Sequence, residues 1–327
     1  MSLNAVVVDS LTRRGPYQGD ALWTVENHAK YSTLQPPSDP AQDHRIHHQI
    51  FLLMCALNEQ GIGADGLCTD RQGHGSLKSL LTQLTQRLAA LSDGNHVHYV
   101  ELGPEPVKTR CILARLTRAA ATLRYTAIDI NSTSEPAMRA TLMPIIADPA
   151  RFHYLAADYR SVTQETLRHD QDLTLITMFG FQEGNEPPAA TGRLIRTLAD
   201  ERTCIISEMQ MYEEGLESCI TAFYAHPGMR QFSSLVALQQ GFVALGDHHV
   251  HLVRLKIGGE LLHVAVTLQP VEQRQQRGYL LTNCCIKYTP EQFRRVRRLH
   301  GNCTVLDELA SGDGSVRCQI AQHLPSP

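Results

Sequence analysis

The chain has 327 residues, 30 basic against 33 acidic side chains for a net charge of −3, and 43% hydrophobic residues against 19% charged. That length excludes a single small domain, that balance supports a sizeable core, and the absence of a basic excess makes nucleic acid an unexpected partner. The nine cysteines have an odd total and form no Cys-x-x-Cys pair, no basic segment precedes an apolar run at the N-terminus, and no apolar stretch reaches the roughly 18 residues of a membrane span, so a cytoplasmic protein without a membrane partner is expected.

In chain order, residues 1 to about 40 are turn-rich, with Gly15-Pro16, Pro36-Pro37 and Asp39-Pro40, which predicts an irregular arm with one short helix. Ile46, Ile50, Leu53, Met54 and Leu57 form a helical stripe, and Leu80, Leu81, Leu84 and Leu88 form another. From His96 short β-rich runs, Val97 to Leu102, Tyr125 to Ile130, Phe152 to Ala157, Leu173 to Phe179 and Cys204 to Ser207, alternate with helical segments such as Val107 to Leu116 and Ala189 to Leu198. Such alternation predicts βαβ units and a wound parallel sheet. After Met209 a helix is expected near Phe232 to Gly241, then strands at Val250 to Ile257, Leu261 to Leu268 and Tyr279 to Lys287, with Gly258-Gly259 as a hairpin turn. Thr289-Pro290-Glu291-Gln292 is a capping box opening a helix. Three sections follow: 1–95, an arm and helices contributing to a substrate domain; 96–209, a Rossmann-like ligand-binding domain; and 210–327, a substrate-recognition section with antiparallel strands and sheet completion.

Chemistry concentrates at the ends of the predicted parallel strands, where open α/β sheets bind ligands. Tyr99-Val100-Glu101-Leu102-Gly103 is a strand ending at a glycine, which lets a ligand approach the backbone. Asp129, at the end of the second strand, can accept both hydroxyls of a ribose. Asp158 and Tyr159 follow the third strand, where a carboxylate can receive an adenine amino hydrogen and a ring can support the base. Each residue alone also fits a strand end or a helix cap; their order and spacing describe an adenosine-containing ligand. Pro104-Glu105-Pro106 stands where a dinucleotide fingerprint has its later glycines. A glutamate there repels a pyrophosphate, whereas S-adenosylmethionine carries a sulfonium and no phosphate.

The run Glu101-Leu102-Gly103, Lys108-Thr109-Arg110, Ile128-Asp129-Ile130, Ala157-Asp158 and Met178-Phe179-Gly180-Phe181-Gln182-Glu183-Gly184-Asn185-Glu186-Pro187 resembles the histidine-specific, S-adenosylmethionine-dependent N-methyltransferases of ergothioneine biosynthesis. The resemblance extends to Tyr224 and to Thr282-Asn283-Cys284-Cys285-Ile286-Lys287-Tyr288-Thr289 and spans roughly residues 97 to 320. It implies a class I methyltransferase fold, a Rossmann-like wound sheet with an added α+β substrate-recognition domain. It further implies S-adenosylmethionine as methyl donor and a small-molecule acceptor. Gly103, Lys108, Asp129, Asp158 and Tyr159 would line the donor site, and Asn185 and Tyr224 would hold the amino acid's head group and serve catalysis. Asn283 and Cys285 stand where the family's histidine enzymes carry an acidic residue and a serine for the imidazole. A neutral amide and a thiol cannot form that charge-assisted pair, so an amino acid or derivative other than histidine is the expected acceptor. The family's tyrosine-rich stretch before its helix is replaced by Ser38-Asp39-Pro40-Ala41-Gln42-Asp43-His44-Arg45. There Arg45 is either a carboxylate clamp or a solvated helix arginine, and Trp23 and Tyr31 are either lid residues or packing aromatics.

Methyl transfer from a sulfonium needs alignment and neither metal nor covalent intermediate, and Asn185 or Tyr224 would orient an attacking amine. O-methylation of a small natural-product acceptor and a catalytically degenerate binding protein are the alternatives. His44 with His48, and His249 with His251, have ligand-like spacing but no third ligand, so no metal site is expected. Arg294, Arg295, Arg297 and Arg298 are expected as a solvated basic face. The oligomeric state is open.

Overall fold

Helical spacing of Leu3, Val7 and Leu11 buries one face of α1 (Leu3–Arg13) in the computed structural model, which describes residues 2–13, 15–32, 40–63, 77–167 and 172–325. Strand β1 (Leu22–Thr24) and α2 (Asn27–Tyr31) follow, so the arm carries more regular structure than its turn-rich composition predicts. Residues 33–39, with Pro36-Pro37, Ser38 and Asp39, and Cys68 lie outside the described residues. The two leucine-rich stripes are α3 (Pro40–Ile62) and α4 (Leu77–Ser92), the latter burying Leu80, Leu81, Leu84 and Leu88.

The alternating section is β2 (His96–Leu102), α5 (Pro106–Ala119), β3 (Thr122–Asp129), α6 (Glu135–Ile146), β4 (Phe152–Ala156), α7 (Gln164–Leu167), β5 (Leu173–Met178), α8 (Pro188–Leu198) and β6 (Thr203–Gln210). Strand β2 is buried on both faces, as a central parallel strand must be. Val97 and Tyr99 pack with Ile112, Leu113 and Leu116 of α5. Val100 and Leu102 face the other way, toward Ile195 and Leu198 of α8.

The remaining elements are α9 (Glu217–Ala225), α10 (Pro227–Gln239), β7 (Val243–Ala244), β8 (His249–Ile257), β9 (Glu260–Gln273), β10 (Gln276–Lys287), α11 (Pro290–Gly301), β11 (Cys303–Ala310) and β12 (Val316–His323). Gly258 and Gly259 turn β8 into β9 with φ of 60° and 90°. Two consecutive positive φ angles are what a tight hairpin requires and what glycine supplies without strain. The capping box forms as expected at the start of α11.

Two sheets result. One has seven strands in the order β11-β12-β6-β5-β2-β3-β4, in which β12 runs against both its neighbours and every other pair among β2 to β6 is parallel. That order, with one reversed strand next to the edge, is the wound sheet of the class I methyltransferase fold. The second sheet joins β1, β10, β9 and β7 in sequence, with β8 also paired to β9. Its β1 lies parallel to β10 through Leu22–Tyr279 and Leu281–Thr24 register. The carboxyl-terminal hairpin thus returns to the wound sheet, while the N-terminal arm belongs to the second.

Arg294, Arg295 and Arg298 of α11 are exposed as expected, and Arg297 is the exception. Arg297 is 1% exposed; it donates to Glu183 at 2.6 Å, Ser207 at 2.7 Å and Gln319 at 2.9 Å. Arg294 and Arg295 pair with Glu308 and Glu260. The acids lie on β11, β9 and the turn after β5, distant in sequence, so helical periodicity alone cannot reveal them.

Candidate active site

The tips of β2, β3 and β4 lie side by side. Gly103 adopts φ +64°, and its N–H donates to the Ile128 carbonyl at 3.0 Å. Asp129, the next residue on the adjacent strand, ends β3, and its carbonyl receives Ala157 N–H at 2.9 Å from the tip of β4. The Asp129 carboxylate accepts from Asn131 N–H at 3.0 Å and, more weakly, Ser134 Oγ at 3.5 Å. Burial pushes its pKa up to about 7 against the downward pull of those bonds and of the Ile130 N–H, so this is a place where charge is costly.

Glu105, in the altered glycine loop, turns inward. Its carboxylate accepts the Val107 N–H at 2.9 Å and the Lys108 N–H at 2.8 Å, capping α5. A helix N-terminus is the usual seat of a pyrophosphate; here the chain's own carboxylate fills it. Lys108 stands apart from the strand tips: its buried ammonium pairs with Glu208 of β6, and Glu208 also receives the Gly180 N–H at 2.8 Å. It therefore braces the turn after β5 rather than offering an open cation.

Asp158 is held by Arg160, whose Nε reaches its two oxygens at 3.0 and 2.9 Å and whose Nη2 reaches Oδ2 at 2.5 Å. Partial burial raises its pKa, but these Arg160 bonds outweigh that and hold the carboxyl below its ordinary value. Beside it, the Tyr159 phenol is pushed up to about 12 by burial and by Glu186.

After β5 the chain makes a tight reversal. Gly180 and Phe181 take φ of 67° and 63°, and the short 3-10 turn Gln182–Asn185 follows. A left-handed phenylalanine is strained by roughly 1–2 kcal/mol; the buried Arg297–Glu183 pair fastens the turn that contains it. Gly184 presses on β10 so closely that a Cβ there would lie 2.6 Å from Cys285 Sγ.

That contact joins the turn to the second sheet. Cys285 Sγ approaches the Phe181 carbonyl at 3.6 Å and receives Lys287 Nζ at 3.3 Å. Lys287 Nζ lies 4.9 Å from the ring centres of both Phe181 and Tyr224. Burial and Cys285 raise the Tyr224 phenol well above its ordinary value, so near neutrality it stays a neutral hydroxyl. Asn283 is half-buried at a bulge in β10, on the register step before Cys284 and Cys285.

The N-terminal arm closes over these groups. Asn27 Nδ2 donates to the Asn185 carbonyl at 2.9 Å, and Lys30 Nζ donates to Asn27 Oδ1 at 2.7 Å. Burial lowers the Lys30 ammonium to about 8. Tyr31 stacks against Phe232 at 6.1 Å; burial first, then Asp129, Tyr159 and Cys285, raise its phenol. One side chain thus feels both the strand tips and the β10 cluster.

The structure therefore brings Gly103, Asp129 and Tyr159 to one region and Asn185, Tyr224 and Cys285 to its neighbour, with Tyr31 between them. Asp158 is present but engaged, Lys108 is internal, and Arg45 is exposed on α3. Sequence reasoning passed over Asn27, Lys30, Gln182 and Lys287. Lys287 was within reach, since it shares a strand face with Cys285 two residues earlier. His249 and His251 converge instead on Tyr17, whose hydroxyl lies 3.0 Å from one and 2.7 Å from the other.

Beneath the site, Glu101 is wholly buried, accepting from Thr109 Oγ1 at 2.5 Å and Tyr125 OH at 2.8 Å. Burial, only partly offset by those bonds, raises its pKa to about 8 from an ordinary 4.5. The folded protein then binds more protons than the unfolded chain between those values, so Glu101 makes stability fall as pH rises across that window. Urea denaturation from pH 5 to 8.5 is expected to show a decline that is smaller in Glu101→Gln, by on the order of a few kcal/mol.

A scan against protein-family models finds no match, and a search of curated proteins finds none either. Among solved structures, the chain is similar to an S-adenosylmethionine-dependent methyltransferase from Clostridium acetobutylicum, at 9% identity over 75% of this chain and 91% of that one, with a TM-score of 0.44. It is similar to magnesium protoporphyrin IX methyltransferase from Synechocystis with bound S-adenosylhomocysteine, at 11% identity over 86% and 100% of the two chains, with a TM-score of 0.45. A third is an amino pentose methyltransferase from Micromonospora echinaspora, solved with S-adenosylmethionine, at 11% identity over 75% and 90%, with a TM-score of 0.35.

Proposed function

We propose that this chain is an S-adenosylmethionine-dependent N-methyltransferase acting on a small amino-acid-derived amine other than histidine. One observation carries the reading: a half-buried carboxylate, Asp129, stands beside a left-handed Gly103 while the neighbouring helix N-terminus is already capped by Glu105. That arrangement suits a nucleoside with two hydroxyl donors and no phosphate. These residues fit the donor: Asp129 would take the ribose hydroxyls, Gly103 would admit the adjacent backbone approach, and Tyr159 would border the base. The donor, when bound, supplies an activated methyl carbon.

The chain's own part is positioning, which contributes on the order of 7–11 kcal/mol when reacting atoms are held in line. Asn185, fixed by Asn27, and the neutral Tyr224 hydroxyl would orient the acceptor amine, with Asn283 and Cys285 facing its side chain. Arg45, exposed on α3, would assist an acceptor carboxylate only from the rim. Exclusion of water by Tyr31 favours the neutral, nucleophilic amine, because burial disfavours ammonium.

Calorimetry with S-adenosylhomocysteine is expected to show micromolar binding, and an amine panel scored for S-adenosylhomocysteine release to show turnover of an amino acid other than histidine. Absence of binding overturns the donor assignment, and fast turnover of histidine overturns the acceptor assignment.

A further inference from the structure

We infer that Gln182, rather than Asp158, reads the amino edge of the donor's purine, which makes the site selective for a 6-aminopurine over a 6-oxopurine. The inference rests on the donor reading above.

A cleft of about 790 Å³ opens on the α8 side of the wound sheet, with Leu102, Met178, Tyr159 and Gln182 among its walls. Leu102 and Met178 come from the tips of β2 and β5, which are adjacent strands. Both belong to the core facing α8 and line the cleft, so they offer it an apolar floor at the sheet's carboxyl edge. Such a floor with few polar groups at its margin is what a planar heterocycle requires.

Gln182 supplies the polar margin. Its amide lies against Gly103, where a Cβ would come within 3.1 Å of Nε2. Its other end, Oε1, is buried and has no hydrogen-bond partner among the described residues. A buried amide oxygen without a donor is a desolvated acceptor, and a ligand N–H placed opposite it restores the missing bond. The ring that occupies this floor must therefore present a donor toward Gln182, as the exocyclic amine of adenine does and a 6-oxo group does not.

Asp158 offers no such vacancy. Both of its oxygens are engaged by Arg160, and Oδ1 also takes the Arg160 backbone N–H at 2.9 Å. To receive an adenine amine it would have to surrender part of a bidentate charge-assisted pair. Gln182 surrenders nothing.

The test uses calorimetry on the full chain with S-adenosylhomocysteine and its deaminated analogue, S-inosylhomocysteine. Wild type is expected to prefer the amino compound about tenfold or more. Gln182→Met should reduce that preference to within about threefold, since the paired acceptor is lost. Gln182→Glu, which keeps an acceptor oxygen at the same place, should retain it, as should Asp158→Asn. Far-ultraviolet circular dichroism and thermal melts identify any variant that fails to fold, and the wild-type preference together with Asp158→Asn then carries the decision. A preference undiminished in folded Gln182→Met, or abolished in Asp158→Asn, overturns the inference while leaving the donor reading intact. Equal binding of both nucleosides by wild type overturns it too. Failure of wild type to bind either compound overturns the donor reading itself.

Discussion

Arg297→Met is expected to cost about 3–5 kcal/mol of folding stability, because it leaves the Glu183 carboxylate buried without its cation. The side chains of the pair are 0% and 1% exposed, so solvent cannot take over for the missing partner. The same guanidinium also serves Ser207 on β6 and Gln319 on β12, so one substitution unfastens the turn after β5 from two strands at once. Urea denaturation should show the loss as a lower midpoint with little change in slope. A variant carrying both Arg297→Met and Glu183→Gln removes the stranded charge and should recover much of the deficit. If the double variant is as unstable as the single one, the cost comes from lost packing and not from the charge.

Binding of the donor product should strengthen with pH through neutrality. Asp129, raised to about 7 by burial, holds its proton at pH 6 and must lose it to accept two hydroxyl hydrogens. Hydroxyl donors stabilise the charged form, so the bound complex has the lower pKa and affinity rises with pH until about 7, then levels. Below 7 the affinity for S-adenosylhomocysteine is expected to fall by up to about tenfold per pH unit. At pH 8, Asp129→Asn should weaken binding about 100-fold, the equivalent of two hydrogen bonds to a charged group at about 1.5–3 kcal/mol each with partial retention by the amide oxygen. It should also flatten the pH profile. A wild-type affinity independent of pH between 6 and 8 would mean that Asp129 is not the ribose acceptor.

Much of the wound sheet was legible because its strands are buried runs between helical stripes, and burial leaves a local signature. Asp129 and Gly103 were legible for a related reason: a strand end is a local place, and the fold rule says what strand ends do. The buried acids and bases were not. Arg297 reads as one of four arginines on a helix, and only the distant Glu183, Ser207 and Gln319 decide that it points inward. Lys108 carries a family-like motif position, yet Glu208 determines its use. Lys30 and Asn27 sit in a segment whose composition suggests a loose arm, and their significance comes from contact with Asn185, far along the chain. Asp158 and Gln182 show the same limit at shorter range, since which of them keeps a free acceptor depends on where Arg160 turns.

The parallel pairing of β1 with β10 sets the order in which the molecule can become competent. Leu22 and its neighbour Tyr279 lie far apart along the chain, with all of the wound strands β2 to β6 between them. Contacts of such long sequence separation form slowly, because loop closure must precede their reward. During synthesis the wound strands β2 to β6 can associate while Asn27, Lys30 and Tyr31 still lack the surface that holds them. The nascent chain therefore passes through a stage in which the wound strands are paired while the N-terminal arm still waits for β10 to be seated.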